Sequence, residues 1–196
     1  KGTGLLIAGR PDAARLTMIR PYLRGDRDPR LLAALGLYEV GQGNPDRARK
    51  FLEAAAAKNV PDARALLELA RLRLDESLSL SPEGRLTAPQ IGQILGPLTL
   101  ARTYLPALPE VYGLMGRAWA PCATPPGAVQ VDLLIEGAKR FPQNPQLVHQ
   151  AAEQCLRTGR GEVASILIDH GLRTFPSPEA SKRFEALRQQ LPPSKT

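Results

Sequence analysis

The stretch Gly-Arg-Pro-Asp-Ala-Ala-Arg at residues 9–15 recurs as Gly-Asn-Pro-Asp-Arg-Ala-Arg at residues 43–49, an offset of 34 residues. The same offset relates Gly36 to Ala70, and the register returns as far as Pro176 once 12 and then 2 extra residues are allowed for. A fixed period of this length is typical of a helix pair that stacks on copies of itself. The sequence therefore predicts an all-α chain of repeated helix pairs.

The composition combines helix-forming residues with many helix breakers. The 196 residues include 19 Pro and 17 Gly, yet 43% are hydrophobic, and only one Trp, four Tyr and four Phe are present. The apolar content excludes a disordered chain, and the scarcity of aromatic residues argues against a β-sandwich. The formal net charge of +7 is dispersed along the chain. This pattern favours a solvated surface with a weak preference for acidic partners, and it argues against nucleic-acid binding.

The register resembles the tetratricopeptide repeat, which carries small residues at repeat positions 8, 20 and 27 and a proline near position 32. Counted from Pro29, positions 8 and 27 are small in four successive units: Gly36, Ala70, Gly116 and Ala152, then Ala55, Ala101, Gly137 and Gly171. Small side chains let two helices approach closely. The resemblance covers nearly the whole chain and implies a right-handed α-solenoid of antiparallel helix pairs, with about 9–10 helices.

Two positions depart from the family pattern. Position 20 is Ile94 in one unit and Gln130 in the next, where Ala is typical, and position 11 is charged at Glu39 and Arg73. Most prolines agree with the pattern, because they stand at expected helix starts or ends. Pro21 and Pro97 fall inside predicted helices instead, and we expect a kink or break near Gly96.

The expected organisation is a single array over residues 1–196. It consists of a partial repeat at 1–28 with a second helix at about 11–23, complete repeats at 29–62, 63–108, 109–144 and 145–178, and a capping helix at 178–191. An insertion at about 75–86 is rich in Ser, Pro and Gly and is predicted to be a loop. Thr87 and Gln90 have the spacing of a capping box that opens the next helix. A second irregular connection is expected at 121–127.

No motif for catalysis or metal binding is present. The chain lacks a nucleophile elbow, a P-loop and paired Cys spacing, and the complete Gly pattern of a dinucleotide loop is absent. We therefore expect no enzymatic activity, no cofactor and no metal. Cys155 occupies position 11 and is predicted to be a buried inert thiol. Cys122 and Cys155 either remain free or pair, and free thiols are favoured because disulfide geometry is restrictive. No apolar run is long enough to span a membrane.

The resemblance implies a binding surface, because the first helices of tetratricopeptide arrays line a concave groove. The candidate groove residues are Arg64, Glu68, Arg71, Arg117, Gln146, His149 and Glu153. Arginines at such positions can fork onto a carboxylate or a peptide carbonyl. Alternatively, Arg64, Glu68 and Arg71 pair within one helix and only solvate its face. The carboxylate clamp of the family's chaperone-binding members is absent, and the base-reading residues of pentatricopeptide repeats are absent too.

The sequence thus predicts a non-catalytic scaffold module that binds a protein or peptide through the concave groove, with a weak preference for acidic partners. The alternative is a structural or regulatory appendage of a larger multidomain enzyme or secreted protein, since the chain starts inside a repeat and Leu5, Leu6 and Ile7 would lack a partner helix. That same edge could drive a homodimer. Nothing in the sequence indicates a compartment.

Overall fold

The computed structural model describes residues 11–59, 62–81, 83–122 and 126–192. These ranges contain ten helices and no strand, so the prediction of an all-α chain is confirmed. The predicted end of a preceding helix, with Leu5, Leu6 and Ile7, lies outside the described residues. The helices are α1 (Pro11–Leu23), α2 (Pro29–Gly41), α3 (Pro45–Ala56), α4 (Ala63–Ser79), α5 (Ala88–Ala101), α6 (Pro109–Trp119), α7 (Ala128–Arg140), α8 (Pro145–Arg157), α9 (Gly161–Thr174) and α10 (Pro178–Arg188).

The chain divides into two compact units. The first contains α1 to α5, and the second contains α6 to α10 together with the short segment Glu83–Thr87. In the first unit α2 packs on α3 and α4 on α5, and the first helices α2 and α4 also touch. In the second unit α6 packs on α7 and α8 on α9, and α8 also contacts α6 and α10. The continuous array expected over residues 1–196 stays a prediction.

Helices α2, α8 and α10 start by one local sequence rule, in which a proline stands at the first helical position behind a capping side chain. Asp28 accepts hydrogen bonds from the backbone N–H groups of Arg30 and Leu31 at 2.8 and 3.2 Å, just before Pro29. Asn144 and Ser177 cap α8 and α10 in the same way. Proline lacks only an N–H that would be unpaired at this position anyway. The frequent breakers of the sequence therefore define where helices begin.

Small residues at the predicted contact positions are buried where helices meet. A Cβ atom added to Gly36 of α2 would lie 2.6 Å from the Leu52 side chain of α3. One added to Gly137 of α7 would lie 2.6 Å from the Tyr112 ring of α6. Such distances are far below van der Waals contact, so only glycine allows these helices to pack this closely.

The insertion at 75–86 is only partly a loop, which corrects the sequence prediction. Helix α4 continues through its first five residues and ends at Ser79. Two features explain the extra turn. Leu74, just before it, is buried, and the carboxylate of Glu76 accepts hydrogen bonds from Arg49 of α3. The Ser-rich composition predicted a loop, because local composition does not reveal an ion pair with a residue of another helix. Beyond Ser79, Leu86 is buried and forms an isolated β-bridge with Cys122.

The break expected near Gly96 does not occur, because α5 runs without interruption from Ala88 to Ala101, and a kink there stays a prediction. Pro97 has no N–H for the carbonyl of Gln93, four residues earlier. A side chain from α4 takes its place, since Arg73 Nη1 donates a hydrogen bond to the Gln93 carbonyl at 2.9 Å. The charged residue at position 11 of that repeat therefore compensates for the proline.

Candidate functional site

The three predicted groove residues of the first unit form one cluster on α4. Arg64 Nε lies 3.4 Å from one oxygen of Glu68, and Arg71 Nη1 lies 3.4 Å from the other. Only 4% of Glu68 is exposed, whereas the side chains of Arg64 and Arg71 are 55% and 42% exposed. Residues three and four apart share a helix face. The contacts found are thus those of the pairing alternative, and they hold both guanidinium groups beside a buried carboxylate.

A cleft of about 420 Å³ lies in the same unit and is mostly acidic. Its charged lining residues are Asp46 and Arg49 of α3 and Asp75 and Glu76 of α4. Arg49 pairs with Glu76 and lies 4.0 Å from Asp46. Arg49 therefore already neutralises part of the negative charge of this cleft.

The four candidates of the second unit occupy two helices. Arg117 is exposed on α6. On α8, Gln146 is exposed, and His149 and Glu153 are half-buried on one face. Arg117 does not line the cavity in which Gln146 and His149 meet.

That cavity, of about 280 Å³, lies between α8 and the start of α10. Gln146 and His149 line it from α8, and Glu179, Ala180, Arg183 and Phe184 line it from α10. The α10 residues were not among the predicted candidates, because that helix was predicted only to cap the last repeat. A signal was available: a helix that caps the last repeat packs where the first helix of a further repeat would stand, which is beside the groove.

A chain of ring contacts holds α10 against its neighbours. The ring of His149 meets that of Phe184 edge-on at 5.6 Å, and Phe184 stacks on Phe175 at 6.0 Å with an interplanar angle of 16°. Phe175 in turn meets His170 edge-on at 6.2 Å, and His170 Nε2 donates to the carbonyl of Pro142 at 2.9 Å. Phe184 is 1% exposed, so this ring forms the inner wall of the cavity.

The environment of His149 disfavours its protonated form. Burial lowers the pKa of this imidazole, Glu153 on the next turn opposes that effect, and Arg183 of α10 adds to it. Arg183 has its own weak partner, because its guanidinium lies 3.8 Å from Glu179 on the same exposed helix face. His149 is therefore held closer to neutrality than an exposed histidine at the same pH.

Both cysteines are buried free thiols, as favoured from the sequence. Burial raises the pKa of Cys155, which agrees with an inert core position. Within the described ranges, no three or more His, Cys, Asp or Glu side chains come together as a potential metal site. No helix in that part of the chain combines the length and apolarity needed to span a membrane.

Comparisons with known proteins agree with this architecture. A sequence profile of the tetratricopeptide repeat matches residues 29–72. A search of curated proteins finds no match. Among solved structures, TTC0263, a thermophilic TPR protein from Thermus thermophilus, is 18% identical with a TM-score of 0.51, and the match covers 96% of this chain and 95% of that one.

Two further solved structures share the fold. MamA is 13% identical with a TM-score of 0.60, and the match covers 96% of both chains. In the Cut9–Hcn1 hetero-tetramer of APC/C, 35% of the matched chain aligns with 95% of this one, at 14% identity and a TM-score of 0.55. At these identities the likeness is one of fold. Together with the profile match to residues 29–72 and the stacked helix pairs, it shows that the chain has a tetratricopeptide-like helical-repeat fold.

Proposed function

We propose that this chain is a non-catalytic module that binds a protein or peptide through the first-helix surfaces of its repeats. The observation that carries the proposal is the cavity beside α8, which Gln146 and His149 line. Tetratricopeptide-like folds generally mediate protein–protein interactions, and one similar structure is itself a hetero-tetramer. Small polar cavities on a rigid helical scaffold suit the recognition of single side chains of a partner.

The arginine cluster of α4 supports the same function. Arg64 and Arg71 each contact the buried Glu68 through one nitrogen, while about half of each arginine side chain remains exposed. A guanidinium has five N–H donors, so such an anchor orients the group and leaves donors for a partner. A positioned arginine loses less side-chain entropy on binding than a free one. We infer that acidic or carbonyl-rich segments are the preferred partners.

The test is a selection of random displayed peptides on the full chain, followed by calorimetric titration of the selected peptides. We expect at least one of Arg71→Ala, Arg117→Ala and His149→Ala to weaken binding about tenfold, a loss of ~1.4 kcal/mol, since a few residues carry most of the binding energy of an interface. Arg47→Ala on α3 is the matched control, because Arg47 is exposed on a second helix. Unchanged affinity in all three groove variants would exclude the proposal.

A further inference from the structure

We propose that the cavity between α8 and α10 is a subsite for a carboxylate group of the partner, an Asp or Glu side chain, with Arg183 as its principal anchor. This inference rests on the proposed function and specifies the chemistry of one contact. It assigns a binding role to the last helix, which lies outside the repeat units from which the groove was predicted.

Three side chains with N–H groups converge on the cavity. The Arg183 side chain is 63% exposed, and its one ion pair within the described ranges is the 3.8 Å contact with Glu179. That distance is too long for a hydrogen bond. The side-chain amide of Gln146 and the ring nitrogens of His149 have no hydrogen-bond partner among the described residues. The cavity therefore offers several donors that its own walls leave unsatisfied.

Glu179 also lines the cavity and Glu153 lies beside it, but neither is hydrogen-bonded to the cavity's donors. The Glu179 side chain is 84% exposed, and a pair this exposed is worth little, so a ligand carboxylate displaces it at small cost. Glu153 lies on the next turn of α8, where it raises the pKa of His149 while burial and Arg183 lower it. A carboxylate between His149 and Arg183 would accept hydrogen bonds from the neutral imidazole and the charged guanidinium, and the two glutamates would repel it.

The inner wall and the volume favour a single carboxylate side chain. Phe184 is buried and Ala180 is half-buried, so one side of the cavity is apolar and strengthens charge-assisted hydrogen bonds at the other. The volume of about 280 Å³ is slightly below the roughly 300–1,000 Å³ of sites for drug-sized ligands. One side chain of an extended segment fits this space better than a whole small molecule does.

The experiment titrates the full chain with N-acetyl-glutamate N-methylamide and, separately, with the isosteric N-acetyl-glutamine N-methylamide, while amide and imidazole NMR signals are recorded. We expect saturable shifts in α8 and α10 with the glutamate compound and no saturation with the glutamine compound. Arg183→Gln should weaken the response about tenfold, as the loss of a charge-assisted hydrogen bond does. Lys182→Gln, the same charge change one residue away on the exposed face, should have little effect.

Equal responses to the two compounds, or no response to either, would overturn the inference. So would equal losses in Arg183→Gln and Lys182→Gln, since they would show only a general effect of net charge. If the selected peptides still bind and the groove variants still weaken them, the carboxylate subsite fails while the proposed function stands. If no displayed peptide binds the chain at all, the proposed function fails first.

Discussion

Gly137 and Gly92 both lie inside helices, yet a methyl group would meet opposite surroundings at the two positions. At Gly137 the added atom would lie 2.6 to 2.7 Å from atoms of Tyr112, and at Gly92 nothing lies within 4 Å. We expect Gly137→Ala to lower the free energy of unfolding by about 1–3 kcal/mol through overpacking. Gly92→Ala should raise it by roughly 0.5–1 kcal/mol through reduced chain entropy.

Urea denaturation followed by circular dichroism compares the two variants. The two changes in the free energy of unfolding should have opposite signs. This difference is diagnostic, because both variants replace a helical glycine by alanine. A Gly137→Ala chain that is as stable as Gly92→Ala would mean that α6 and α7 do not approach as closely as described.

His149 makes stability depend on pH in a defined direction. Its pKa is lowered in the folded chain, chiefly by burial, so the unfolded chain binds more protons as the pH falls through the ordinary value near ~6.5. The contribution of His149 is therefore fully present at higher pH and is lost below that value. We expect His149→Gln to reduce the slope of unfolding free energy against pH between about 5 and 7.

Thermal unfolding at a series of pH values measures this slope for both chains. An unchanged or steeper slope in His149→Gln would show that His149 is not the group whose protonation is disfavoured. The sequence is enough to place His149 and Glu153 on one helix face, because residues four apart share a face. It missed Phe184, because that ring reaches His149 from another helix.

At the scale of elements, Pro97 shows how a helix tolerates a residue that its local sequence disfavours. The carbonyl of Gln93 lacks an intrahelical donor because of Pro97, and Arg73 of α4 supplies one at 2.9 Å. Arg73 also contacts Glu53 at 3.4 Å. A double-mutant cycle separates these two interactions. Pro97→Ala restores a backbone N–H that can donate to the Gln93 carbonyl, and it leaves the contact with Glu53 unchanged.

We expect Arg73→Met to lower the free energy of unfolding by about 1 kcal/mol in the natural chain, which is the usual net value of one hydrogen bond. In a Pro97→Ala background the loss should be smaller by about 0.5 kcal/mol, because the helix then satisfies the carbonyl itself. The Glu53 contact contributes in both backgrounds and cancels. Chemical denaturation of the four chains gives the coupling, and a coupling of zero would contradict the described role of Arg73.

Element boundaries were predictable where they depend on local chemistry. The first helix runs from Pro11 to Leu23 and the last begins at Pro178, as the prolines indicate. The last helix ends at Arg188 rather than Leu191, and α4 extends to Ser79 because Glu76 meets Arg49. Helix ends that depend on a contact with another helix cannot be predicted from local composition.

At the scale of the whole molecule, each unit has its own core. Phe184 fills the second unit against Gly171, His149 and Phe175. In the first unit Leu35 belongs to a buried cluster with Met18 and Tyr38. Repeat arrays transmit stability mainly between neighbouring elements. The truncation of a core side chain should therefore destabilise mainly the unit that contains it.

We expect Phe184→Ala to cost about 3–5 kcal/mol and to reduce amide hydrogen-exchange protection in α8, α9 and α10 while α2 and α3 keep theirs. Leu35→Ala should instead reduce protection in α2 and α3 while α8, α9 and α10 keep theirs. Hydrogen exchange followed by mass spectrometry resolves the helices. An equal loss of protection in both units from either variant would mean that the chain unfolds as a single cooperative body.

The sequence by itself determined the class of the molecule and its helix pattern. Small residues recur at a spacing of 34 residues, lengthened by 12 and then 2 residues in two units, and prolines behind capping side chains start α2, α8 and α10. These signals are local and periodic, so they survive without knowledge of the fold. They also placed the candidate groove residues on shared helix faces.

Only the tertiary structure decided which of those residues meet and what surrounds them. It buried Glu68, joined Arg73 to Gln93, and set Arg183 and Phe184 of the last helix beside Gln146 and His149. The physical reason is that side-chain contacts between helices depend on how the backbones approach one another. That approach is set by packing across the whole unit, which no window of sequence contains.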